Sequence, residues 1–256
     1  MPSDHPDRRP VLVIEHQATC PPGWLGEWLT DEGLTLDIRR PYAAAPQSDS
    51  PHYLPSGLAA YCALVVLGGS MGANDDATVG WLGPVKKLIR EAAERELPTL
   101  GVCLGHQLAA VALGGRVEPN PRGQTMGLQH VPWTTAAHTD PVLGPVAGRD
   151  GPNTVAVQWN NDIVVAEPAG STALARAGTG ELLAARFAPT VWGVQWHPEA
   201  GADLIGPWAD KDRAAARDRG VDVDAVVGAV RAAEPALRHT WSRLARGFAA
   251  AVSTTR

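Results

Sequence analysis

Two short stretches of this chain bring together residue types that can carry out nucleophilic chemistry. The first is Pro98-Thr-Leu-Gly-Val-Cys-Leu-Gly-His-Gln-Leu108, where Cys103 stands between an apolar run and a helix-forming run. Thr99, Leu100 and Val102 predict a short buried strand, and Gln107 through Leu113 predict a helix closed by Gly114 and Gly115. Cys103 therefore falls in the turn between them, flanked by Gly101 and Gly105, whose missing side chains allow close backbone approach and unusual φ/ψ. A helix starting just past the sulfur points free N–H groups and the positive end of its dipole at it, an environment suited to a thiolate. The second stretch is Gln195-Trp-His-Pro-Glu199. If a strand continues through His197 and Glu199 their side chains share a face, and Pro198 marks its end. A histidine there takes the thiol proton, and a carboxylate two residues on fixes its tautomer and stabilises the cation. His130 and His138 compete for the role of base, but neither has a carboxylate at a matching offset.

The elements that must position these residues alternate. Val11-Leu-Val-Ile14 predicts a buried parallel strand, followed by a helix around Trp24 to Thr30 that Gly33 ends. Leu34, Leu36 and Ile38 alternate as a second strand, and Arg40 to Gly57 is a Pro/Ser/Ala-rich surface connection. Cys62 to Leu67 is a third strand running into the glycine-rich loop Gly68 to Asp75, and Val85, Leu88, Ile89 and Ala92 mark a surface helix that leads to the Cys103 strand. This βαβ alternation predicts an α/β fold, a mostly parallel open sheet flanked by helices, with ligands at the carboxyl ends of the strands. Short strands are predicted next at Arg116–Glu118, Gly127–Thr134, Thr154–Asn160, Ile163–Ala166, Leu174–Arg176, Leu182–Phe187 and Val191–Trp196. Beyond Gly201 the chain turns Ala/Arg/Asp-rich. Helices are predicted there at Val223–Ala233 and Pro235–Ala250, with Leu237, Trp241, Leu244 and Phe248 packing back onto the rest. The expected organisation is a flexible N-terminus over residues 1–10, a catalytic domain over 11–201 and a helical extension over 202–256.

Composition narrows the function. A net charge of -5 with interspersed signs offers no basic stripe for nucleic acid and no polybasic membrane anchor. The apolar run Val11 to Ile14 is too short for a signal sequence, and no stretch is long and apolar enough to span a bilayer. Cys20, Cys62 and Cys103 show no metal-ligand spacing, and a reducing cytoplasm is the expected compartment. The Gly68 to Asp75 loop lacks both the lysine of a phosphate loop and a dinucleotide fingerprint, which argues against nucleotide binding.

The pattern Gly-X-Cys-X-Gly-X-Gln over 101–107, together with Gln195-Trp-His-Pro-Glu199, resembles the class I glutamine amidotransferases, and among them the glutaminase of GMP synthase. The resemblance runs from about Val11 to Gly201 and implies a flavodoxin-like sheet with a nucleophile elbow. It implies that Cys103 attacks the side-chain amide of glutamine, with His197 as base and Glu199 as its orienting carboxylate. It also implies that the Gly-Gly loop gives one oxyanion donor, at Gly69 or at Ser70, which stands where proline is usual; the amide of Leu104 is the second. Gln107 matches the family's substrate-contacting glutamine. In Gln158-Trp-Asn-Asn-Asp162, relatives often read Trp-His-X-Asp, so Asn160 occupies the histidine position. Asn160, Asn161 and Asp162 are then pocket residues, with Asp162 a partner for the substrate ammonium; a plain Asx-rich turn is the other reading. No metal or organic cofactor is implied. The expected partners are glutamine or a γ-glutamyl amide and a separate ammonia-accepting synthetase, because no synthetase segment is read in the sequence. A self-contained γ-glutamyl amide hydrolase using the same triad is the alternative. A non-catalytic relative whose tail serves a partner is the third reading, and the intact Cys103, His197 and Glu199 argue against it.

Overall fold

The computed structural model describes residues 9–43 and 53–254. The predicted flexible N-terminus, apart from its last two residues, and the middle of the Arg40–Gly57 connection lie outside them.

Apolar runs in the first half form strands β1 (Val11–Ile14), β2 (Leu36–Arg39), β3 (Ala63–Val66) and β4 (Thr99–Val102). Helices α1 (Gly23–Asp31), α2 (Leu82–Glu94) and α3 (Leu104–Ala112) join or follow them. The second half supplies β5 (Arg116–Pro119), β6 (Thr125–His130), the short helix α4 (Gly144–Asp150), β7 (Val155–Asn160) and β8 (Asp162–Ala166). Strands β9 (Thr172–Arg176), β10 (Leu182–Ala188) and β11 (Val191–Val194) follow, and helices α5 (Ala202–Asp218) and α6 (Val223–Thr254) end the chain. The central sheet has the order β2-β1-β3-β4-β11-β10-β9. Its first five strands are parallel, and β10 and β9 close one edge antiparallel. Two-stranded ladders β5-β8 and β6-β7 stand beside it.

All four residues of β1, β3, β4 and β11 are buried, as expected of strands covered on both faces. One face packs against α2 and α3 through Leu82, Val85, Ile89, Leu104 and Leu108. The other packs against α1, α5 and α6 through Leu25, Leu29, Ile205, Trp241 and Phe248.

The tail differs from the sequence reading. Where two helices separated near Pro235 are expected, a single 32-residue helix runs through that proline, and α5 precedes it in a part of the expected helical extension where no individual helix is delimited. An interior proline costs a helix about 3 kcal/mol. Leu237, Trp241, Leu244 and Phe248 are all buried on α6, each contributing about 1.5–3 kcal/mol, so packing outweighs the break. Helix α5 carries Gly206 and Pro207 in its interior, which hides it from propensity; burial of Ile205, Trp208, Ala209 and Ala216 holds it in place.

The turn from β4 into α3 depends on glycine at two positions. A Cβ on Gly105 would strike the carbonyl oxygen of Val66, and one on Gly101 would strike the carbonyl of Gly105. Backbone of β3, β4 and α3 is therefore in direct contact, and no side-chain end can yield. Gly105→Ala is expected to lower stability by about 3 kcal/mol, measured by urea unfolding, because overpacking against fixed backbone must move a strand or the helix. A change below about 0.5 kcal/mol would mean that the elbow tolerates displacement.

Candidate functional site

Cys103 is the residue at the elbow, with φ 50° and ψ −103°. This is a left-handed conformation that a side chain adopts only when the surroundings impose it. Leu104 opens α3, so its N–H has no acceptor within the helix. The thiol sits within range of the Trp159 carbonyl at 3.9 Å and of the Gln195 side-chain amide at 3.6 Å.

Strand β11 stops at Val194, so His197 and Glu199 lie on the loop beyond it and not on one strand face as expected. The pairing arises from the loop instead. His197 N–H donates to the Val157 carbonyl at 2.8 Å, which ties the loop to β7. His197 Nδ1 then meets Glu199 Oε1 at 2.7 Å, with both side chains buried. Burial alone would push the His197 imidazole down, but the Glu199 carboxylate and the Cys103 sulfur outweigh it and hold the group well above its ordinary value of 6.5. His197 is therefore expected to keep its second proton to higher pH than a free imidazole in the resting protein, and to release it at lower pH in Glu199→Gln. Imidazole ¹⁵N NMR checks this, and a His197 ring that titrates below a free imidazole in the wild type would contradict it. The competing bases are elsewhere: His130 and His138 are exposed. His16 and His106 are pushed down by burial to about 3 and about 4, and are neutral.

Gly69 packs against the elbow; a Cβ there would come 3.0 Å from Leu104 Cδ2 and 3.0 Å from His16 Cβ. The Ser70 amide is engaged, donating to Gln17 Oε1 at 2.9 Å. Of the two positions expected to supply the loop's oxyanion donor, this one is therefore committed to the β1–α1 loop in the structure.

A cavity of about 420 Å³ opens over Cys103 and His197 at the carboxyl ends of β1, β3, β4 and β11. Gly69, Ser70, Gln107, Asn160, Asn161 and Asp162 all line it, so the residues expected at the pocket come together. Gln107 spends its side-chain nitrogen inside the protein, on the Asp162 carbonyl at 2.9 Å and on Gln195 Oε1 at 3.3 Å. Asn160 likewise donates to the Asp162 carbonyl at 3.1 Å, which leaves its Oδ1 buried without a donor. Desolvation, and secondarily Asp75, raise the Asp162 carboxyl above its usual range.

Several lining residues have no signal in the sequence reading. Gln17 and Cys20 come from the β1–α1 loop, and Trp208, Lys211 and Asp212 from α5, whereas Trp159 of β7 belongs to the Gln158–Asp162 motif. Trp208 and Asp212, one helical turn apart, reach across: Trp208 Nε1 donates to the Thr19 carbonyl at 2.8 Å, and Asp212 Oδ2 accepts from Trp159 Nε1 at 2.9 Å and Gln124 Nε2 at 2.8 Å. Gln195, whose amide reaches the Cys103 sulfur, does have a local signal, because it opens the Gln195–Glu199 motif.

An open, mostly parallel sheet with a strained cysteine elbow and a buried His–Glu pair at its carboxyl end defines a nucleophile-elbow α/β protein. Residues 30–207 match the family model described as glutamine amidotransferase class-I, so the chain belongs to that family. It is 39% identical over 111 residues to a glutamine-hydrolyzing GMP synthase subunit from Halobacterium salinarum, covering 43% of this chain and 57% of that one. It is also 34% identical over 158 residues to aminodeoxychorismate synthase of Streptomyces griseus, covering 60% of this chain and 20% of that protein. The chain spans about half the length of the GMP synthase subunits it matches. Among solved structures, a glutamine amidotransferase from Methylobacillus flagellatus shares its fold with a TM-score of 0.80 at 23% identity, over 95% of both chains. One from Thermotoga maritima does so with a TM-score of 0.75 at 22% identity, over 95% of this chain and 99% of that one. No described helix is long and apolar enough to cross a membrane.

Proposed function

We propose that this protein hydrolyses the side-chain amide of glutamine through a γ-glutamyl thioester on Cys103 and passes the ammonia to a separate synthetase. The observation that carries the reading is the buried Glu199–His197 pair beside the elbow sulfur of Cys103, at the floor of the cavity. The Cys103 sulfur adds to the amide carbon while the Gly69 and Leu104 N–H groups hold the oxyanion. Each such donor is worth about 10²–10³-fold in rate. His197 gives its proton to the nitrogen as the C–N bond breaks, releasing ammonia, and then takes a proton from the water that cleaves the thioester to glutamate. Asp162 lines the cavity as the acceptor for the substrate ammonium, and Asn160 and Asn161 line the same wall. Relatives that work as subunits of glutamine-hydrolysing synthetases support the ammonia-delivery part, and a cytoplasmic setting keeps the thiol reduced.

Steady-state kinetics on the isolated protein test the reading. Glutamine hydrolysis is expected to be slow, to proceed through a covalent γ-glutamyl adduct seen by mass spectrometry, and to rise when a synthetase is added. A kcat/KM of about 10⁴ M⁻¹s⁻¹ or more for a non-glutamine γ-glutamyl amide, with no partner present, would favour a self-contained hydrolase instead.

A further inference from the structure

Glu199 anchors the His197 ring at Nδ1 and the Cys103 sulfur is its other side-chain partner, but the terminal torsion of a histidine is soft, so the groups packed on the ring decide how well it stays aligned on the sulfur. Two further groups among the described residues abut the ring. One is the backbone of Gly68, where a Cβ would come 2.9 Å from His197 Cε1. The other is the indole of Trp208, whose ring centroid lies 4.7 Å from that of His197 at an interplanar angle of 51°.

Trp208 is itself held on two sides. Its N–H is bonded to the Thr19 carbonyl at 2.8 Å, and its ring packs on Trp159 at 6.3 Å. Trp159 in turn donates to Asp212, on the same helix one turn later. This closed circuit from α5 to β7 and back fixes the indole against the imidazole. Trp208 is 8% exposed and His197 3%, so the indole keeps water from the ring as well as limiting its rotation.

We infer that Trp208 is a positioning residue that keeps the His197 imidazole aligned on Cys103 and shields it, and that α5 is therefore part of the reaction apparatus. The family match ends at residue 207, one position before Trp208. The inference rests on the reading of Cys103 and His197 as nucleophile and acid–base group. An indole at this separation is also within the ~6 Å over which an aromatic ring attracts a cation, which favours the imidazolium. The titratable groups that act on that ring are Glu199 on its own loop and Cys103 on the elbow, while Cys20 of the β1–α1 loop, Asp162 of β8 and Lys211 and Asp212 of α5 line the same cavity.

Trp208→Leu and Trp208→Phe in the full chain test this, read by glutamine kinetics, by the ¹⁵N titration of His197 and by the rate of Cys103 alkylation with iodoacetamide. Trp208→Leu is expected to lower kcat about 100-fold with KM within about threefold, the cost of a misplaced reacting group. The His197 titration moves to lower pH, and alkylation at neutral pH slows. Trp208→Phe keeps a ring but loses the Thr19 anchor, so it is expected to recover most of the kcat loss, to within about tenfold of wild type, with a smaller displacement of the His197 titration. Unchanged kcat and His197 titration in Trp208→Leu would overturn the inference, as would equal losses in both variants with that titration unmoved. Should Trp208→Leu fail to fold, Trp208→Phe decides alone, and wild-type values in all three readouts would overturn it. A wild type that never turns over glutamine counts against the functional reading only, because the titration and the alkylation rate still decide the role of Trp208.

Discussion

Cys103→Ala is expected to abolish ammonia release from glutamine, a loss of about 10⁶-fold if this triad behaves as a unit in the way protease triads do. Cys20→Ala and Cys62→Ala are expected to keep most of the activity. The contrast is informative because Cys20 lines the same cavity as Cys103. Burial, with the nearby Glu199 and Cys103, pushes the Cys20 thiol up to about 12, so at neutral pH it stays protonated and is a poor nucleophile. Its sulfur accepts a hydrogen bond from Gln17 Nε2 at 3.2 Å, whereas Cys103 is held in a strained turn at the mouth of a helix. Cys62 is packed in the core below β3 and does not line the cavity. Ammonia release by Cys103→Ala at a measurable fraction of the wild-type rate would end the nucleophile assignment.

Glu199→Gln is the second large effect: turnover is expected to fall by about 10⁴-fold with the fold intact, as carboxamide replacement does in a serine-protease triad. Glu199 is buried and its Oε1 meets His197 Nδ1 at 2.7 Å. A neutral amide of the same shape removes the charge that holds the proton on His197, and it can present an N–H where an acceptor is required. The sign follows from the raised imidazole. Its protonated form contributes stability that is fully present below the unfolded-state value of about 6.5 and is lost as pH rises through the higher folded-state value. In Glu199→Gln that window closes, so the stability difference from wild type is expected to be largest at neutral and mildly acidic pH and to shrink in alkali. Wild-type turnover in Glu199→Gln would show that Glu199 has no orienting role.

The sequence by itself determined the sheet-forming half and pointed to Cys103, His197 and Glu199 as the candidate reacting residues. Apolar four-residue runs bounded by glycine and proline specify strands wherever both faces are covered, and the glycine pair around Cys103 specifies a turn that other residues would block. These are local properties, set by sterics within a few residues of chain. What only the tertiary structure decided depends on contacts between distant segments. His197 and Glu199 pair on a loop because the loop is tied to β7, not because of strand alternation. The Ser70 amide is taken by Gln17, from a loop 53 residues earlier. Helix α5 escapes a propensity reading because glycine and proline sit inside it, and it forms because Ile205 and Trp208 find a surface to bury against. The placement of Trp208 on His197 is a fact of packing, and neither composition nor periodicity in an Ala/Arg/Asp-rich tail carries any trace of it.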